Sequence, residues 1–176
     1  MPFPNARRDI ESMDIFAWVL IVATFLCSLM AGFLFAFAVV VMPGIRNLGD
    51  REFLHSFQVI DRVIQGSQPL FMIMWLGSTL ALVVAAALTI MHQSGFDRTL
   101  VVSAALANVF LVQLPTMTVN IPLNQKVQVL DFDTLDGDAA SQARRVFESR
   151  WNRWNVIRTF VSCVILAVLL VVLRRL

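Results

Sequence analysis

The 176-residue sequence contains no tyrosine. That excludes a tyrosyl radical and a phenolic acid catalyst. Its two cysteines, Cys27 and Cys163, both fall inside long apolar runs, where they are expected as small buried apolar side chains rather than a redox pair. Charge is scarce: 14 basic and 12 acidic residues are too few to clothe a soluble globule of this length. The net charge of +2 is spread thinly, and no basic run with interleaved aromatics suggests a nucleic acid. H-x-x-x-H and C-x-x-C metal patterns are missing, as are G-x-S-x-G, Walker and GxGxxG motifs. The apolar runs carry no acidic residue at mid-depth, which argues against a proton-driven transporter or pump.

What is present is hydrophobic length. Four apolar stretches, Ile15 to Met42, Leu70 to Met91, Thr99 to Val119 and Val156 to Leu173, fill most of the chain. Each comes close to, or exceeds, the roughly 20 residues a helix needs to cross about 30 Å of hydrocarbon. The fold expected is therefore all-α: an integral membrane four-helix bundle, one domain over residues 15–176 behind a polar tail at 1–14. The first stretch is too long, and lacks the small-residue site, for a cleaved signal.

The connections are informative. Pro43-Gly44 is expected to end span one, and Ser28-x-x-x-Gly32 within it is a small-x-x-x-small pattern that lets helices approach. Asp50 to Gln65 reads as an amphipathic helix with Asp50 as its N-cap. Phe53, Phe57, Ile60 and Ile64 form its apolar stripe, and His55, Gln58 and Arg62 a polar one. Such a helix can lie in the interface or cover the end of the bundle. Spans two and three form a hairpin turning at Gln93 to Asp97. The third connection is acidic at Asp131, Asp133, Asp136 and Asp138, and a helix from about Ala139 is expected to run unbroken into span four. Four spans put both termini on one side. Lys/Arg counts favour the opposite side as cytoplasmic, but reading its long segments as a folded site puts the termini in the cytoplasm.

Polar residues gather toward the end that carries the amphipathic helix. Gln113, Thr116, Asn120 and Asn124 follow helical spacing down span three, with Pro122 expected to bend the chain. Trp151, Asn155, Arg158 and Ser162 recur at i, i+4, i+7 and i+11 on one face of span four. Arg158 stands just inside the apolar boundary, where a charge is costly unless it is solvated or paired. It has three readings: snorkelling to headgroups, pairing with a carboxylate such as Asp61, or binding a ligand oxygen through its guanidinium fork. Asn120 and Asn124 either tie span three to span four or hold a substrate oxygen. Trp151 and Trp154 serve as an interfacial belt or stack on an aromatic ligand. His55 is a solvated histidine or a general base suited to neutral pH. His92, at a helix C-terminus, complements the dipole. On opposite faces the two histidines cannot share a metal, so no cofactor is expected, with one-histidine haem ligation left open.

AGFLFAFAVVVMPGI closing span one, TVNIPLNQKV after span three and RWNRWNVIRT leading into span four resemble the anthrone-oxygenase-like membrane protein family, in which four spans occur in matching order. The resemblance implies oxidation of anthrones to anthraquinones by O₂ without a recognised cofactor, although many bacterial members have no assigned role. By motif it points to Asn120, Asn124, Trp151, Trp154, Asn155 and Arg158. The mechanism expected has His55 or a water taking a proton, Arg158 with Asn124 stabilising the oxyanion, and Trp151 or Trp154 stacking on the ring. Expected partners are the bilayer of a bacterial inner (cytoplasmic) membrane and a small hydrophobic ligand, with a homo-oligomer left open. The competing class is a non-enzymatic lipid- or partner-binding protein, or an accessory subunit of a membrane complex.

Overall fold

The computed structural model describes the backbone of residues 4–92 and 95–176 and the side chains of 15–91 and 95–176. The described residues form five helices and no strand. Helix α1 runs from Pro4 to Ala36, widens into a π-helical turn at Phe37–Val41 and continues through Met42–Ile45. Helix α2 is Asp50–Gln65 and α3 is Pro69–His92. Helix α4, Phe96–Gln128, holds two further π-helical turns at Asn108–Gln113 and Thr116–Asn120. Helix α5 is the long Gly137–Arg175. Four of these, over Ile15–Ile45, Pro69–Met91, Phe96–Gln128 and Gly137–Arg175, are long and apolar enough to cross a membrane.

The long helices form a ring in which α1 packs on α3 and α5, and α4 packs on the other sides of α3 and α5. Small residues Ala23, Ala85, Ala86, Ala104 and Ala105 let the backbones close up around Phe16, Leu20, Leu82, Val101 and Leu169. Large apolar side chains such as Trp18, Phe25, Leu80 and Phe160 point outward, an arrangement that suits lipid rather than water. An ion pair of 2.9 Å from Arg175 Nε to Asp97 Oδ1 brings the end of α5 to the start of α4, as the expected topology requires.

The structure shifts several local expectations. Pro43 does not end span one, because the π-helical turn just before it absorbs the missing backbone donor and the helix reaches Ile45. Span three likewise passes Pro122 and extends to Gln128, with π-helical turns flanking Pro115 and preceding Pro122. The segment expected as a polar tail is helical from Pro4. Gly32 meets no neighbouring helix, and Ser28 Oγ bonds its own Phe25 carbonyl; the close approach is at Gly77, where a Cβ would meet Leu26 Cδ1 at 3.2 Å. Gly49, not Asp50, is the N-cap of α2. Residues 93 and 94 of the hairpin turn and the His92 side chain lie outside the described residues.

Helix α2 folds back over the bundle end, against the last turns of α4 and the polar half of α5. Phe53, Leu54 and Phe57 pack with Leu123, Val127, Phe147 and Trp151. The Gln58 amide donates to the carbonyls of Val127, Gln128 and Leu130 at 3.1–3.2 Å, which occupies the unpaired end of α4. Arg144 on α5 holds the preceding loop: its guanidinium reaches the Arg46 and Leu48 carbonyls at 2.6 and 2.8 Å and Asp50 at 3.0 Å. It also stacks over Phe53, 4.2 Å from the ring centre.

Candidate functional site: a polar-ended aromatic cavity

A cavity of about 230 Å³ lies beneath α2, where α1, α3, α4 and α5 meet. Its wall is a chain of aromatic rings. Trp75 stacks near Phe71 (6.4 Å between centres), Phe71 packs on Phe33 (5.2 Å), Phe33 on Phe37 (4.9 Å), and Phe37 on Trp151 (5.8 Å). Phe57 closes the chain from α2, 5.4 Å from Trp151. This spacing is that of tilted and offset ring pairs. Cavities with apolar walls and few convergent polar groups are the usual form of small-molecule sites.

Arg158 reaches this cavity from α5 and is buried, 4% exposed. Of its three expected uses, snorkelling is ruled out by that burial. Its Nη1 donates to Thr116 Oγ1 at 2.8 Å and its Nη2 to Asn155 Oδ1 at 3.2 Å. Neither acceptor is charged, and among the described residues Nε has no partner. Asn155 is held in turn by donating to the Leu34 carbonyl of α1 at 3.3 Å. Across a turn of α4, Asn120 donates to the Trp151 carbonyl at 3.4 Å, tying α4 to α5, while its buried Oδ1 has no partner. Arg158 and Asn120 both line the cavity, and each keeps one buried polar atom without a partner among the described residues. Leaving either unpaired costs about 1–3 kcal/mol.

The opposite polar wall is Asp61 of α2, 1% exposed. Asn124 Nδ2 donates to Oδ1 at 2.7 Å; Gln128 Nε2 and Gln65 Nε2 donate to Oδ2 at 2.8 and 3.2 Å. Asn124 is fixed the right way round because its Oδ1 accepts from Trp151 Nε1 at 2.7 Å. Desolvation pushes the Asp61 carboxyl above its ordinary range, against the opposing effect of its three amide donors. Asp61 and Arg158 do not pair with each other.

The cavity therefore brings together Asn120, Asn124, Trp151, Asn155 and Arg158. Two of the expected residues stand apart from it. His55 is on the exposed face of α2, 5.0 Å from the Phe132 ring, and Trp154 packs on the outer side of the α2 cluster. Asp61, expected only as a partner for Arg158, was missed as a member of the site, as were Phe71 and Trp75. Its signal is the i, i+4, i+8 series Phe53, Phe57, Asp61, which sets a carboxylate on the inward stripe of α2.

A second polar chain lies deeper between α3 and α4. Trp75 Nε1 donates to Gln113 Oε1 at 2.7 Å, Gln113 Nε2 to Thr79 Oγ1 at 2.7 Å, and Thr79 Oγ1 to Asn108 Oδ1 at 3.3 Å. Gln113, Thr79 and Asn108 thereby satisfy one another inside the apolar ring and orient the Trp75 indole.

The family model described as anthrone oxygenase matches residues 63–168, more than half the chain. The chain belongs to the anthrone oxygenase family. The match spans four of the cavity's polar residues from α4 and α5, Asn120, Asn124, Asn155 and Arg158, together with Trp151; Asp61 lies two residues before it. No curated protein and no solved structure gives a match to this family member.

Proposed function

We propose that this family member is a membrane-embedded oxygenase that binds a flat, hydrophobic, hydroxylated aromatic of the anthrone type and promotes its oxidation by O₂. The observation that carries the reading is an aromatic-walled cavity lined by Arg158 and Asn120, each of which keeps one buried polar atom without a partner among the described residues. The Arg158 guanidinium suits the oxygen that becomes negative when an anthrone is deprotonated, and the Asn120 amide suits a neighbouring hydroxyl. The net change converts a ring CH₂ and O₂ to a ring C=O and water. An anthrone anion reduces O₂ itself, so the task of the protein is to form that anion, hold it and keep water away. The reading needs no cofactor. α-Helical spans fit a bacterial inner membrane, with the termini in the cytoplasm and the cavity end on the far side.

The test is oxygen uptake by detergent-purified protein with a hydroxyanthrone, alongside a metal assay. Catalysed uptake above the spontaneous rate supports the reading. Uptake no faster than the blank, together with a co-purifying hydrophobe, transfers the protein to the ligand-binding class; a stoichiometric metal overturns the cofactor-free chemistry.

A further inference from the structure

The oxygenase reading leaves the base unassigned, since His55 stands outside the cavity. We propose that Asp61 is the base of this site and takes the proton from the substrate carbon on its Oδ1. The inference rests on the reading above and deepens it.

Lone-pair accounting selects the atom. A carboxylate offers about four acceptor positions. Gln128 and Gln65 occupy both positions on Oδ2, and Asn124 occupies one on Oδ1. One position on Oδ1 remains, and Asp61 lines the cavity. The Trp151–Asn124 bond prevents the amide from turning its oxygen toward the carboxylate, so the carboxylate keeps a fixed orientation.

The surroundings leave Asp61 free to act as a base. Arg62 on its own helix bonds the Gln58 amide oxygen instead. Lys126 on α4 is exposed, and Arg158 on α5 is engaged with Thr116 and Asn155. Helices α1 and α3 bring no charged residue over Ile15–Ile45 and Pro69–Met91. Among the described residues no cation neutralises the carboxylate, and burial makes it a stronger proton acceptor.

The step balances simply. The substrate C–H bond breaks, its proton bonds to Asp61 Oδ1, and the electron pair spreads to the substrate oxygen facing Arg158. The carbanion then adds O₂, and the proton held on Asp61 passes to the peroxide anion so formed, which restores the carboxylate. Loss of the second hydrogen on that carbon with O–O cleavage yields the ketone and water.

The experiment is anaerobic mixing of purified protein with a hydroxyanthrone, following the visible absorbance of the anion, for wild type, Asp61→Asn, Gln128→Ala and His55→Ala. Wild type and His55→Ala should form the anion at similar rates, and Asp61→Asn should be slower by about 100-fold or more. Gln128→Ala removes a donor that favours the charged form, so the acid limb of the pH–rate profile should move to higher pH. A purely structural role would leave that midpoint in place, and this arm serves even if Asp61→Asn fails to fold. An Asp61→Asn rate within about threefold of wild type, an unmoved midpoint in Gln128→Ala, or loss of the anion in His55→Ala would each overturn the assignment. Anion formation without aerobic O₂ uptake would uphold Asp61 and overturn the oxygenase reading. Catalysed O₂ uptake with no anaerobic anion would do the reverse, and neither signal would overturn both.

Discussion

Asp61 and Arg158, the two buried charged residues of the cavity, face the same space without forming an ion pair. Asp61 is satisfied by three amides, and Arg158 by a hydroxyl and an amide oxygen. Asp61 keeps one acceptor position unused, and Arg158 uses two of its five N–H donors. A direct ion pair would have consumed both charges; held apart, they can act on opposite parts of one ligand.

Replacing Arg158 by Leu should reduce turnover by about 10²–10³, the usual cost of losing one donor to a developing oxyanion. Oxygen uptake in detergent checks it, with circular dichroism to confirm helix content. Activity equal to wild type would remove Arg158 from the chemistry.

His55→Ala should leave turnover within about twofold of wild type, because an exposed side chain away from the cavity falls among substitutions of small effect. The same assay decides. A large loss would mean that α2 moves to bring His55 inward.

The raised Asp61 pKa has a signed consequence for stability. Between the ordinary carboxylate value of about 3.9 and the raised one, the native state binds more protons than the unfolded state. Stability from this group is therefore highest at low pH and declines as pH rises through that window. Asp61→Asn lacks the effect, so thermal melts should show wild type losing ground to the variant as pH rises, then a constant difference. Parallel curves would place the Asp61 pKa in the ordinary range.

Arg144→Ala releases the Arg46 and Leu48 carbonyls, Asp50 and the face of Phe53. A loss of about 1–2 kcal/mol is expected, with faster proteolysis of the loop before α2. Arg144→Lys should recover only part of this, since an ammonium cannot reproduce the fork. Unchanged proteolysis would show that the apolar face of α2 suffices to hold it.

Trp75→Phe keeps the ring but removes the donor to Gln113. About 1 kcal/mol of stability should be lost, typical of a hydrogen bond between membrane helices. Melts in detergent, compared with Gln113→Leu and the double variant, measure the coupling directly. Additive effects would show that the pair contributes nothing to stability.

The recurrence of apolar residues over lengths matched to a bilayer is a local property, so the spans, their number and the amphipathic nature of α2 were legible in the sequence. So was the face of α5 carrying Trp151, Asn155 and Arg158, because helical period alone sets it. Helix ends were less legible. Pro43 reads as a stop and Pro122 as a bend, yet π-helical turns, which no residue pattern announces, carry the helices past both. The cavity itself was decided by tertiary structure. Whether α2 lies flat on a membrane or folds over the bundle depends on partners distant in the chain, among them Val127, Gln128 and Leu130 for Gln58 and the loop carbonyls for Arg144. Only that docking takes Asp61 out of water and into the same cavity as Arg158. The sequence determined which residues must leave water; long-range packing decided which of them meet.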